Sequence, residues 1–230
     1  MERPERAMVI TPHPDDAEGG CGGTIGRWIR EGTRVAIVLC TNGDKGTEDR
    51  RMTPERLAGI REVEQAEAAK ALGVEEVIYL RHRDGGLEDS TEFRGQLVRA
   101  LRSFKPDAVL CPDPYRRNFY LHRDHRICGM VTLDAVFPYA RDHLHYPEHI
   151  SEGLETHKVG DVLLWATEEP DTWIDITDTI DLKVASLMKH ASQVSGPRDV
   201  DEWLRGRARE MGNRADVEYA EAFRRIEIRR

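Results

Sequence analysis

Residues Thr11–Gly23 read TPHPDDAEGGCGG, directly after the apolar run Ala7-Met8-Val9-Ile10. An unalternating apolar run of this kind fits a parallel strand covered on both faces. The strand delivers one imidazole, His13, and two adjacent carboxylates, Asp15 and Asp16, to its carboxyl end. In open α/β sheets ligands bind at that edge. Pro14 keeps His13 extended, and the glycines that follow let the backbone approach a neighbour closely. Imidazole and carboxylate converging at a strand end suit a zinc site. Taken singly, Asp15 or Asp16 would serve as a helix cap and His13 as a turn residue. The four-residue group before a glycine run points to function.

Outward from this stretch the pattern repeats. A helix is expected at about 19–31 and a strand at 34–40. A polar loop, Thr41–Thr53, leads to a long helix from Pro54 that Gly73 ends, the usual polarity of proline and glycine. A strand at 76–80, a helix at 91–104 and a strand at 108–111 continue the alternation. It predicts an α/β, Rossmann-like three-layer fold with a mostly parallel central sheet. Beyond it we expect a helix around 123–140, an irregular segment at 141–159, strands at 162–166 and 172–176, and helices at 178–194 and 199–211. The tail 219–228 reads as helix or edge strand. With no low-complexity linker, residues 1–230 are expected to form a single domain.

Composition narrows the function. Net charge is −8 with both signs interleaved, which disfavours a nucleic-acid partner, since that would want a clustered basic face. The Arg224-Arg225 and Arg229-Arg230 pairs sit beside glutamates and read as a solvated face. No apolar stretch is long enough for membrane insertion, and MERPER lacks the core of a signal peptide. Cys21, Cys40, Cys111 and Cys128 are scattered and form no CxxC pair, so a reducing, cytoplasmic setting is expected. The glycine run is out of register for a dinucleotide fingerprint, and two carboxylates ahead of it would repel a pyrophosphate.

A second constellation, His122-Arg123-Asp124-His125, follows the fourth strand. Residues three apart share a helix face, so His122 and His125 can look into one cleft, with Asp124 able to fix a ring tautomer. Two His and one carboxylate suffice for a catalytic zinc.

The paired HPDD and HRDH motifs resemble those of the PIG-L/LmbE-like zinc-dependent N-deacetylases. The GGTI, TNGDKG, DGGL and Lys189-His190-Ala191-Ser192-Gln193 segments extend the similarity along most of the chain. The placement of Ala17 before Glu18 resembles the branch with bacterial glucosaminyl-malate and diacetylchitobiose deacetylases. There Glu18 would simply favour the helix N-terminus.

The resemblance implies specific roles. His13, Asp16 and His125 hold Zn2+, or another divalent transition metal, and Asp15 is the general base for the attacking water. His122, as imidazolium, stabilises the oxyanion and supplies the proton for the leaving amine, with Asp124 holding it in place. Arg61, Asp84, Asn42, Tyr115, Arg116 and Asn118 are candidate substrate contacts, and Asn42 and Asp44 fit a gating loop. Arg61 could instead be a solvated residue on a charged helix, and Asp84 a turn cap. The implied substrate is an N-acetylated amino sugar of the N-acetylglucosamine type, and a homo-oligomer is expected from the same resemblance. Two alternatives are an amidase acting on a bulkier sugar-linked conjugate and a metal-stabilised carbohydrate-binding protein without turnover. A purely structural metal site would need neither Asp15 nor His122.

Overall fold

Five parallel strands carry the site. They are β1 (Arg6–Thr11), β2 (Arg34–Thr41), β3 (Glu76–His82), β4 (Ala108–Pro112) and β5 (Asp161–Trp165). Two more, β6 (Thr172–Asp175) and β7 (Ala220–Glu227), complete a seven-stranded sheet in the order β3-β2-β1-β4-β5-β7-β6. In this computed structural model the described residues are 2–194 and 199–228; the Arg229-Arg230 pair lies outside them. The order reverses between β1 and β4, which pair in parallel through Met8 and Val109. The crevice at such a switch point is where α/β sheets bind ligands. The two motifs leave the carboxyl ends of these two strands.

Helices α1 (Asp16–Arg30), α2 (Pro54–Leu72), α3 (Thr91–Phe104) and α4 (Arg123–Asp134) form the crossovers and flanks. Local chemistry sets several ends. Thr53 Oγ1 accepts from the Arg56 amide at 3.3 Å, and Ser90 Oγ accepts from the Phe93 amide at 3.1 Å, each meeting a donor that the first helical turn leaves free. Gly73, at φ +83°, closes α2 in the left-handed conformation that glycine adopts without strain. Strands β1, β2, β4 and β5 are buried almost throughout and supply the centre of the core, while β3, at the sheet edge, is only partly buried.

Four departures from the expected elements have physical causes. The helix starting at Arg123 stops at Asp134 and passes into one wider turn over Ala135–Tyr139, where Phe137 is extended. Pro138 lacks an N–H and forces its predecessor out of the helical region. The irregular segment contains a short helix, α5 (Pro147–Ser151). The helix expected at 178–194 is a short 3-10 turn at Thr177–Thr179, then α6 (Ile180–Leu187), a break, and α7 (Ala191–Val194); α8 (Val200–Ala215) follows. His190 lies in the break and is fully buried. The tail is neither helix nor edge strand. β7 runs antiparallel between β5 and β6, and the sheet edges are β3 and β6.

Candidate metal centre and active site

The chain leaving β1 turns sharply at Asp15, whose φ of +94° lies in the left-handed region, an unusual conformation for a residue with a side chain. Asp15 occupies the N-cap position of α1 yet makes no side-chain cap hydrogen bond. The capping alternative therefore does not describe it, and its carboxylate is turned to other use. Asp16 Oδ2 accepts from the His13 backbone amide at 3.1 Å and lies 3.0 Å from His13 Nδ1. The same oxygen is 3.1 Å from His125 Nε2. Ligand-capable atoms of His13, Asp16 and His125 all lie within 4.8 Å of one another. His125 is buried, and neither ring nitrogen makes a hydrogen bond, a costly arrangement unless another partner meets the ring's lone pair. Two imidazoles and a carboxylate, with an orphaned nitrogen aimed at the group, fit a divalent transition metal.

On the other side of His13 sits a second group, His13, Asp84, His122 and Asp124. Here the structure corrects one expectation. The Asp124 carboxylate does not hold His122; Oδ2 is 3.1 Å from His13 Nε2 and accepts from Gly85 N at 2.7 Å, while Oδ1 accepts from Leu87 N at 3.2 Å. Asp84 Oδ1 is also 3.2 Å from His13 Nε2. His122 is fixed by the backbone of Asp124, whose amide donates to Nδ1 at 3.2 Å. With Nδ1 an acceptor, a neutral His122 carries its proton on Nε2.

The electrostatics call for a cation at the centre. Burial opposes charging of His13, but hydrogen bonds with Asp124, Asp16 and Asp84 prevail and its pKa is pushed up to about 12. Burial likewise favours the neutral form of Asp16, yet the His125 and His13 rings hold its carboxyl well below the ordinary range. Burial, with the neighbouring Asp16 charge, pushes Asp15 up to about 7, against the pull of Arg61. Burial and the His13 charge lower His122, so the imidazolium form expected of it is disfavoured. The proton on His13 Nδ1 meets Asp16, as a bound metal would, while the proton on Nε2 meets Asp84 and Asp124.

Arg61 is not on a solvated helix face. It is 3% exposed, and its guanidinium donates to the Gly43 carbonyl at 3.0 Å, the Pro14 carbonyl at 2.6 Å and Asp15 Oδ2 at 3.1 Å. It thereby joins the 42–53 loop to the HPDD turn. Glu18 lies in the first turn of α1, where the helix N-terminus favours its charge. It is fully buried, accepts from Gln65 Nε2 at 2.8 Å and lies 3.3 Å from His190 Nε2.

The remaining candidates spread along the cleft. Asn42 Oδ1 is buried without a partner, as is Arg116 Nη2, and the Arg116 guanidinium faces the Phe119 and Tyr120 rings at 5.6 and 5.7 Å. Asp44 Oδ1 accepts from the Asp84 amide at 3.0 Å, and Gln193 Nε2 donates to the Gly46 carbonyl at 3.1 Å, so the first half of this loop is tied down. Tyr115 is exposed, and Asn118 is held by Glu168 through its amide and side chain. Sequence reasoning missed the buried Lys183–Glu221 pair. Lys183 Nζ is 2.6 Å from Glu221 Oε1 and donates to the Gly19 carbonyl at 2.7 Å. Glu221 accepts from the Gly23 and Thr24 amides, so the pair fixes α1 behind the metal ligands. No local pattern signals it, because its members meet only through the sheet.

The fold and site together define a class. The family model for PIG-L, GlcNAc-PI de-N-acetylase, matches residues 8–136, and the chain belongs to that family. It is 33% identical over 224 residues to the diacetylchitobiose deacetylase of Thermococcus kodakarensis, covering 96% of this chain and 82% of that protein. A 1D-myo-inositol 2-acetamido-2-deoxy-alpha-D-glucopyranoside deacetylase from a Mycobacterium species is 28% identical, with 83% and 74% covered. Among solved structures, an N,N'-diacetylchitobiose deacetylase from Pyrococcus horikoshii, complexed with an inhibitor, superposes with a TM-score of 0.90 at 33% identity. That match covers 97% of this chain and 84% of the other.

Proposed function

We propose that this chain is a metal-dependent hydrolase that removes the N-acetyl group from an N-acetylglucosamine-type sugar or conjugate. The observation that carries the reading is the meeting of His13, Asp16 and His125 around one point, with the uncapped Asp15 carboxylate beside it. When bound there, zinc or another divalent transition metal supplies Lewis acidity and lowers the pKa of water to about 7.

The protein groups divide the remaining work. Asp15, uncapped and with its ionised form favoured by the Arg61 guanidinium at 3.1 Å, is placed to take a proton from the attacking water. It is then placed to return that proton to the departing nitrogen, which leaves poorly as an amide anion. His122 donates through Nε2–H to the oxygen that gains negative charge, a contact whose loss typically costs on the order of 10²–10³ in rate. Asp124 holds His13 in one tautomer, and Arg61 orients Asp15. Asp84, Asn42 and Arg116 offer polar atoms to sugar hydroxyls, with Tyr115 and Asn118 at the rim.

The same reading places the enzyme in the cytoplasm as a single-domain homo-oligomer. All four cysteines are free and buried. Leu144, which is 80% exposed, and Phe137 offer apolar surface for self-association. Among the described residues no helix is long and apolar enough to cross a membrane.

The test is amine release from N-acetylglucosamine, diacetylchitobiose and a glucosaminyl-malate acetamide, before and after chelation and zinc restoration. Zinc-dependent release from at least one supports the reading. No release from any of them with zinc bound overturns it.

A further inference from the structure

The cleft does not end at the metal ligands. A cavity of about 740 Å³ starts at Asp15, Asp16 and His125, passes Gly19 and Gly20, and continues between α6, α8 and β7. Its walls there include Trp165, Leu187, Trp203, Leu204 and Met211. Gly20 is required there, since a Cβ would stand 2.7 Å from the Trp165 ring. Of the charged groups on this route, Lys183 pairs with Glu221, Arg214 with Glu210 and Glu168 with the Asn118 amide, Arg207 stacks on the Trp203 ring, and Arg116 keeps Nη2 without a partner. Between Gly20 and α8 most of the lining side chains are apolar, with paired charged groups set among them. Asn42, Asp84 and His122 are not part of its lining and lie towards the other side of His13.

This asymmetry sorts the two halves of an amide substrate. A secondary amide is planar and trans, so its acyl chain and its nitrogen substituent leave the scissile bond in opposite directions. A sugar held by polar atoms near Asp84 and Asn42 sends its acyl group towards Gly20 and the apolar chamber. An acetyl group would leave most of that space unfilled.

We infer that the enzyme also takes, and prefers over acetyl, N-acyl glucosamines with longer chains, and that the chain lies between Gly20 and α8. The inference rests on the amide-hydrolase reading of the site. The reaction stays balanced as simple hydrolysis. The water oxygen bonds to the acyl carbon, the C–N bond breaks, and the amine and a fatty acid are released with water's two hydrogens shared between them.

The experiment compares amine release from N-acetyl-, N-butyryl- and N-hexanoylglucosamine, and from the octyl glycoside of N-acetylglucosamine, by the zinc-loaded enzyme. Each buried methylene favours binding by about fourfold, so kcat/KM for hexanoyl should exceed that for acetyl at least tenfold. Met211→Glu, which puts a carboxylate in the chamber, should lower the hexanoyl-to-acetyl ratio about tenfold. Release from the acetyl sugar but none from the hexanoyl sugar overturns the inference and leaves the deacetylase reading standing. A gain confined to the octyl glycoside also overturns it and assigns the chamber to the aglycone. A rising series that Met211→Glu does not flatten overturns the placement of the chain. No release from any substrate defeats the underlying reading itself.

Discussion

Asp124 Oδ2 lies 3.1 Å from Nε2 of His13, across 111 positions of sequence, and this contact joins the two motifs into one site. The carboxylate fixes which nitrogen of His13 is protonated and leaves Nδ1 beside Asp16. It also draws in the loop after β3 through the Gly85 and Leu87 amides.

Replacing that carboxylate should therefore weaken the metal rather than only the chemistry. Partners behind metal-bound histidines typically contribute 10–100-fold in metal affinity. Asp124→Asn is expected to lower zinc affinity within that range in a chelator competition, with a near-native circular dichroism spectrum. Unchanged affinity would show that Asp124 does not set the His13 ligand.

Asp15 and His125 should separate cleanly. Asp15→Asn retains zinc but loses about 10²–10⁴ in kcat, the usual contribution of a positioned base. His125→Ala loses zinc first. Metal content measured alongside turnover distinguishes the two, and a parental rate for Asp15→Asn would remove the base assignment.

The Arg61 guanidinium, 3.1 Å from Asp15, favours the ionised carboxylate. Arg61→Met withdraws that cation, so the Asp15 pKa rises and the base is ionised only at higher pH. The acid limb of the kcat/KM profile should move upward, whereas a merely structural role would lower kcat/KM without moving the limb.

Away from the site, Lys183→Met leaves Glu221 buried without its cation, and breaking such a pair typically costs about 3–5 kcal/mol. The Gly23 and Thr24 amides that still donate to Glu221 place the expected loss at the lower end. Lys183→Met combined with Glu221→Gln should be less damaging than Lys183→Met alone. Denaturant midpoints of the three proteins decide this.

His157 gives a pH dependence with a definite sign. Burial lowers its pKa, despite the Nε2 contact to the Pro106 carbonyl at 2.7 Å. The unfolded chain takes up the proton first as pH falls, so stability is present above about 6.5 and declines below it. The melting temperature should drop between pH 7 and 5, and His157→Gln should reduce that drop.

Much of the molecule was legible in the sequence because its signals are local. Apolar runs ending in Cys40 and Cys111, Pro54 and Gly73 at the ends of one helix, and HPDD after a strand each record a short-range constraint. Alternation of strand and helix then places both motifs on one sheet edge. The tail was not legible in this way. Its residues alternate enough for an edge strand, yet whether β7 lies outside or between β5 and β6 depends on which surfaces remain free after the parallel strands have assembled.

The sequence by itself determined the strand-and-helix order, the two His-Asp motifs and their shared edge, since backbone propensity and spacing act within a few residues. Only the tertiary structure decided which atoms those residues face. It turned Asp124 to His13, buried Arg61 against Asp15, paired Lys183 with Glu221, and opened the apolar chamber behind Gly20. Each of these depends on groups far apart in the chain losing water together, and the energy of that step is set by the packed neighbours rather than by the local sequence.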